Sequence, residues 1–117
     1  MRILIVDDNH DIIDLLQRVL HVGGHHVITA RDGLDALQQD AAQTPDVIVC
    51  DVNLPGIDGW EVCRRVKARR NVPVMLLTVR AEEGDISRSR AAGADDHLPK
   101  PFDIVEFLDR IDHLVKR

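Results

Sequence analysis

Four short apolar runs recur along the chain, and longer stretches with helical spacing of apolar residues separate them. The runs are rich in β-branched residues and cover Ile3–Val6, Val27–Ala30, Val47–Cys50 and Val74–Leu77. Nearly continuous apolar strands are what a parallel sheet needs when helices cover both of its faces. A fifth, weaker strand is predicted at Asp96–Leu98.

The stretches between these runs predict helices near residues 10–22, 33–41, 58–69, 83–92 and 102–116. In the first of them one side carries the apolar positions, and Gly23-Gly24 is a typical helix stop; the apolar set is Ile12, Leu15, Leu16, Val19 and Leu20. Alternation of strand and helix predicts an α/β three-layer sandwich. Because the sequence shows no repeat and no linker, we expect one domain over residues 1–117.

Composition narrows the function classes. Of 117 residues, 44% are hydrophobic and 30% charged, which is an ordinary globular balance. The formal net charge of -5 argues against direct nucleic-acid binding, which favours a basic face. No apolar run approaches the length of a membrane span or signal peptide, so we expect a cytoplasmic protein. Cys50 and Cys63 lack metal-ligand spacing and are interpreted as small buried hydrophobes.

Polar residues follow the predicted strands at the edge where parallel strands end. Asp7 and Asp8 follow the first strand, Asp51 the third, Thr78 closes the fourth and Lys100 follows the fifth. Ligand sites in open parallel sheets lie beyond these carboxyl ends. Any one of these residues is more simply a helix cap, a turn residue or a solvated lysine. All five at one rim of one sheet favour a functional site.

The chemistry of that rim follows from its charges. Three crowded carboxylates repel one another unless a cation intervenes, and oxygen ligands suit Mg²⁺. A carboxylate can also attack phosphorus as a nucleophile. Lys100 and Thr78 would then offer positive charge and a hydrogen-bond donor to the phosphoryl oxygens, which is most of what phosphoryl transfer requires.

With these residues in place, the chain resembles the receiver domains of bacterial two-component response regulators. The ordered motifs that carry the resemblance are Asp7-Asp8, Asp51, Leu54-Pro55-Gly56, Asp58-Gly59, Thr78, Gly93-Ala94-Asp95-Asp96 and Lys100-Pro101-Phe102. The match runs from Arg2 to the end of the chain. The resemblance implies a doubly wound, flavodoxin-like fold with five parallel strands in the order 2-1-3-4-5.

The resemblance also implies a role for each rim residue. Asp51 would be the phosphoacceptor, Asp8 a direct Mg²⁺ ligand, Asp7 a ligand acting through metal-bound water, and the carbonyl of Asn53 a further ligand. Thr78 and Lys100 would contact the phosphoryl group. The Lys100–Pro101 bond would be cis. A phosphohistidine on a sensor kinase or phosphotransfer protein would be the donor, and the domain would catalyse only its own phosphorylation and dephosphorylation.

Two positions depart from the common family pattern, and two others lie where the family varies. His97 stands where the family often has Tyr or Phe, and we interpret it as the residue that moves together with Thr78 in the switch. Val79 replaces a small residue after the threonine, and we expect it to narrow access to the acyl phosphate. Arg80 and Asn53 flank the expected path of hydrolytic water, where the family tunes the lifetime of the phosphorylated form.

Two other function classes compete with a switch. A phosphatase or phosphotransferase of the haloacid-dehalogenase type also uses Asp, Mg²⁺, Thr and Lys, but it needs a second acid where this chain has Asn53, and it needs a cap. A flavin-binding domain is disfavoured because the chain has no tyrosine and no Ser/Thr-rich loop after the first strand.

The fourth helix, fifth strand and fifth helix form the dimer face of many receivers from transcription factors. Arg88 with Glu106, and Asp96 with Arg110, could pair across a two-fold axis there. The apolar centre of that face is lost, however, because its positions hold Ser87, Arg90 and Asp109. Exposed ion pairs contribute only about 0–1 kcal/mol each, so we expect a monomer or a weak dimer.

Overall fold

The computed structural model describes residues 1–78 and 83–116. Val79 and Arg80, which were expected to influence the phosphorylated form, lie outside the described residues. Strands and helices alternate along the chain as predicted: β1 Arg2–Val6, α1 His10–Val22, β2 His26–Ala30, α2 Gly33–Gln43, β3 Val47–Asp51, α3 Gly59–Arg69, β4 Val74–Thr78, α4 Glu83–Ala91, β5 Asp96–Pro99 and α5 Ile104–Val115.

All five strands are parallel and form one sheet in the order β2-β1-β3-β4-β5. The predicted doubly wound α/β fold and its strand order are therefore confirmed. In register, Val6 of β1 pairs with Cys50 of β3, and Asp51 pairs with Leu77 of β4. The carboxyl ends of β1, β3 and β4 thus finish nearly level, which brings the residues that follow them to one rim.

Successive strand residues face opposite sides of the sheet, so each strand feeds two cores. On one side Leu4, Ile48 and Leu76 pack with residues of α2 and α3. On the other side the core combines Ile3, Val49 and Met75 with α1 and α5. Both faces of β1, β3 and β4 are buried, which explains why their sequences are continuously apolar rather than alternating.

The buried stripe of α1 differs from the predicted one. Ile13, Leu16 and Leu20 are buried, whereas Leu15 is 42% exposed. A helix advances about 100° per residue, so Leu15 points well away from Leu16 while Ile13 shares its face. Ile12 and Val19 occupy the shoulders of the stripe and pack partly against the core.

Helix ends follow their capping residues. The predicted start of α3 at residue 58 is the cap rather than the first turn, because the Asp58 side chain accepts the backbone N–H of Glu61 at 2.9 Å. Likewise α5 begins two residues later than predicted, after its cap Asp103. Both cysteines are buried and unbridged, as predicted.

Candidate functional site

The carboxyl-end rim of the sheet gathers the acidic residues. Asp7 directly follows β1 and is fully buried; its Oδ1 accepts the backbone N–H of Asn9 at 2.9 Å. Asp8, the next residue, is exposed. Asp51 is the last residue of β3 and is 4% exposed. The two aspartates are adjacent in sequence after β1, but the fold buries the side chain of Asp7 and leaves that of Asp8 accessible to solvent.

Asp7, Asp8 and Asp51 each offer an oxygen, and these oxygens lie within 4.8 Å of one another. Among the described residues this is the only group of three or more such side chains that could hold a metal ion. Hard oxygen donors with one accessible side fit Mg²⁺, which retains several of its waters. The donor set therefore fits the cation that the sequence predicts. Asn53, also exposed, donates its N–H to Asp51 Oδ1 at 3.3 Å.

Lys100 supplies the positive charge of the rim. Its Nζ lies 2.9 Å from Asp7 Oδ2 and 3.5 Å from Asp51 Oδ2. Its backbone N–H donates to the Thr78 carbonyl at 2.6 Å, which ties the end of β5 to the end of β4. The Lys100–Pro101 peptide bond is cis. The ammonium thus neutralises part of the charge of two buried carboxylates.

The environment of Asp51 disfavours its charged form. Burial raises the pKa of the Asp51 carboxyl above its ordinary value, and the negative charge of Asp7 raises it further. Lys100 and the Asn53 N–H act against this shift by stabilising the carboxylate. A cation placed among the three carboxylates would act in the same direction as Lys100.

The two predicted switch residues lie on neighbouring strands beside this rim. Thr78 ends β4, is 2% exposed and pairs in register with Pro99. His97 is half-buried on β5 and pairs with Leu76. Its Nδ1 lies 2.8 Å from the Oγ of Ser89 on α4. The structure thus brings Asp7, Asp8, Asp51 and Lys100 together, and places the histidine one strand further along.

Two features near the site were not predicted from the sequence: the close packing of Gly59 and the burial of Ser89. Gly59 packs so closely that an added Cβ would lie 2.3 Å from the Asp51 carbonyl oxygen. The glycine was visible in the motif, but its contact with Asp51 was not. Ser89 is 1% exposed and hydrogen-bonded to two side chains. Nothing in the local sequence distinguishes it from its exposed neighbour Ser87.

A flavodoxin-like sheet with three carboxylates and a lysine at its carboxyl-end rim defines the class of phosphoacceptor domains. Residues 3–112 match the family model described as the response regulator receiver domain. The chain belongs to this family, whose members are phosphorylation-dependent switches of two-component signalling. The comparisons do not favour the phosphatase or phosphotransferase alternative.

Relatives and solved structures agree with this membership. The chain is 42% identical over its whole length to response regulator MprA of Mycobacterium avium, of which it covers 52%. It is 37% identical to a putative response regulator from Chloroflexus aurantiacus, with a TM-score of 0.92 over 99% of this chain and 98% of that one. The BeF3-activated receiver domain of Klebsiella pneumoniae RstA superposes with a TM-score of 0.95 at 26% identity, and both chains are fully covered.

The chain spans about half the length of the curated relatives it matches. Within the part of the chain that the structure describes, every helix is too short or too polar to cross a membrane.

Proposed function

We propose that Asp51 accepts a phosphoryl group from a phosphohistidine of a sensor histidine kinase or a phosphotransfer protein, and that the modification changes the affinity of the domain for a partner. One observation carries the assignment. Asp51 is the carboxylate that ends the central strand β3 between the acidic residues after β1 and the ammonium of Lys100.

The chain's own residues have distinct parts in the transfer. A carboxylate oxygen of Asp51 attacks phosphorus, the new P–O bond forms as the P–N bond of the donor breaks, and the electron pair leaves with the imidazole nitrogen. Lys100 offers its ammonium to the phosphoryl oxygens, and Thr78 offers its hydroxyl. The domain catalyses only its own phosphorylation and dephosphorylation.

Mg²⁺ would neutralise the crowded negative charge during the transfer. Asp8 and Asp51 would be its direct carboxylate ligands, and the carbonyl of Asn53 would complete the protein set. Asp7 would act through metal-bound water, because it is fully buried and the Asn9 N–H and Lys100 each contact one of its oxygens at 2.9 Å. The corresponding contacts of the Asp51 oxygens are longer, 3.3 Å to the Asn53 N–H and 3.5 Å to Lys100. Among the hydrogen bonds of the described residues, none involves the exposed carboxylate of Asp8.

We infer that the chain acts as one receiver domain over residues 1–117, in the cytoplasm and without direct contact to nucleic acid. The donor chemistry of the family and the net charge of -5 support this inference. Asp51 phosphorylation would shift a two-state equilibrium in which Thr78 and His97 move together.

The isolated domain would be a monomer or a weak dimer. Arg110 contacts Asp96 at 2.7 Å and Glu106 at 3.2 Å within the chain. The Arg88 guanidinium stacks on Trp60, with 3.8 Å between the guanidinium carbon and the ring centroid. These charges already have partners, so an interface would have to exchange them for little gain. Sedimentation with and without beryllofluoride tests this; a tight dimer that forms on activation and is lost in Arg110→Glu would contradict it.

Incubation with acetyl phosphate and Mg²⁺, followed by intact-mass measurement, tests the acceptor. The wild type should gain one phosphoryl group, and Asp51→Asn should gain none. Asp109→Asn makes the same chemical change at an exposed position on α5 and should behave as wild type. Full labelling of Asp51→Asn would show that another residue is the acceptor.

A further inference from the structure

One buried hydroxyl joins α3, α4 and β5. The Oγ of Ser89 accepts the indole Nε1–H of Trp60 at 3.0 Å and lies 2.8 Å from His97 Nδ1. A serine hydroxyl has one hydrogen and two lone pairs, so it can bond both rings at once. We refer to Trp60, Ser89 and His97 as the hydroxyl bridge.

The contact between Ser89 of α4 and Trp60 of α3 is supported by the burial of the hydroxyl and by a second contact from α4. Burying a hydroxyl costs free energy unless it is hydrogen-bonded, and Ser89 is 1% exposed. The residue before it, Arg88, stacks on the same indole that bonds Ser89, which adds a cation–π contact. Two consecutive residues of α4 therefore hold one ring of α3, and the histidine is attached to this pair through the hydroxyl.

Trp60 and His97, the two ring residues of the hydroxyl bridge, each lie close in sequence to a residue that contacts Asp51. Trp60 follows Gly59, whose N–H donates to the Val52 carbonyl at 2.8 Å and whose Cα lies against the main chain of Asp51. At the other end, His97 precedes Lys100 by three residues on the same segment, and Lys100 contacts Asp51. A change at Asp51 can reach the histidine through α3 and α4 as well as through Thr78.

We propose that Ser89 is a positioning residue of the switch: it holds His97 in the arrangement that belongs to the unmodified carboxylate and releases it on phosphorylation. This inference rests on the proposed function of Asp51. The ammonium of Lys100 is bonded to Asp7 at 2.9 Å, which is the pairing that a phosphoryl group on Asp51 would replace. When Thr78 turns toward that group, His97 moves and loses Ser89. The indole of Trp60 and helix α4 then respond to the change.

The chain contains a single tryptophan, so its indole N–H gives one isolated NMR signal. In the free protein Ser89→Ala should move this signal and the ring signals of His97, which His97→Phe identifies by their loss. Ser87→Ala, the same change at an exposed site on the same helix, should move neither. Beryllofluoride with Mg²⁺ should move both signals in the wild type.

Ser89→Ala should also bind beryllofluoride about 2- to 10-fold more tightly than wild type or Ser87→Ala, because one net hydrogen bond no longer opposes activation. Trp60→Phe removes the indole donor, keeps an aromatic ring beneath Arg88 and leaves the residues of α4 unchanged. Because the Ser89 hydroxyl then loses the bond that orients it toward His97, this variant should also bind beryllofluoride more tightly. It provides the test if Ser89→Ala folds poorly.

Equal or weaker beryllofluoride binding in Ser89→Ala and Trp60→Phe would overturn the proposal. So would an indole signal that stays in place when the wild type binds beryllofluoride. If the wild type binds none, or Asp51→Asn binds as well as wild type, the proposed acceptor is wrong and the coupling falls with it. The free-protein shifts would still report whether the bridge exists, so the two failures are distinguishable.

Discussion

A single methyl group added at Gly59 tests how strictly the acceptor depends on its main-chain position. A Cβ at this residue would lie 2.3 Å from the Asp51 carbonyl oxygen and 2.7 Å from Val52 Cα, whereas ordinary contact begins at 3.4 Å. The nearest atoms belong to the main chain of Asp51 and Val52, which are both buried, so no flexible side chain can turn aside. The Asp51 segment would therefore have to give by about 1 Å in Gly59→Ala.

A displacement of about 1 Å should lower both the free energy of unfolding and the rate of phosphorylation. Overpacking of this kind costs about 1–3 kcal/mol of unfolding free energy. A shift of about 1 Å at a reacting group can lower a rate about 10²-fold. We therefore predict that Gly59→Ala slows phosphorylation by acetyl phosphate about 10²-fold, with a loss of stability in that range. The phosphorylation rate is read from intact mass and the stability from urea unfolding.

Gly24→Ala is the matched control. Gly24 has φ +86° with nothing within 4 Å of a built Cβ. It precedes β2 and so lies at the amino ends of the strands, opposite to the carboxyl-end rim. Its alanine variant suffers about 1–2 kcal/mol of backbone strain and should be phosphorylated at the wild-type rate. Equal phosphorylation rates in the two variants, at similar stability, would refute the claim that Gly59 sets the position of Asp51.

Three further changes probe the rim and the fold. Asp8→Ala should weaken Mg²⁺ binding at least about 10-fold, measured by calorimetry, because it removes a proposed direct ligand; Asp11→Ala, on an exposed residue of α1, should not. Asp40→Ala should cost about 1–2 kcal/mol in urea unfolding, less than a fully buried pair, because Arg69 keeps access to solvent; an unchanged midpoint would contradict this. Asp51→Asn should be more stable than wild type at neutral pH. The folded-state pKa of Asp51 is raised, so the wild type loses stability as pH rises between the unfolded and folded values, and the gain should vanish in acid. A gain that persists unchanged below the ordinary pKa of aspartate would argue against burial of the charge as its cause.

The rim could be predicted from the sequence because it depends only on topology. Four of the five strands contain nearly continuous apolar runs, and in a parallel sheet the residues that follow the strands must share one edge. The sequence pattern alone therefore predicts that Asp7, Asp51, Thr78 and Lys100 lie together. The pattern does not predict how deeply each side chain is buried. It therefore does not show that Asp7 is buried beside Lys100 while Asp8 is exposed.

Helix α4 shows why the burial of Ser89 could not be predicted from the sequence. Helix α4 consists of polar, charged and small residues with one large apolar residue, Ile86, so no apolar stripe fixes which side meets the sheet. The rotation of the helix decides that Ser89 is buried and Ser87 exposed, and it comes from tertiary contacts with Trp60 and His97. The exposed Leu15 of α1 has the same origin, since the sheet accepts only a narrow stripe of that helix.

The electrostatic design of the rim connects stability with signalling. Asp51 is buried beside a second buried carboxylate, Asp7, and one lysine is shared between them. The charge of the proposed acceptor is therefore incompletely compensated, which is what its raised pKa expresses. If Asp51 is phosphorylated as proposed, the phosphoryl group would give Lys100 a stronger partner than Asp7. The pairings at the end of β5, the strand that carries His97, would then change. A well-compensated site would change these pairings less, so we infer that the imbalance among Asp7, Asp51 and Lys100 would let a modification of Asp51 affect β5 and α4.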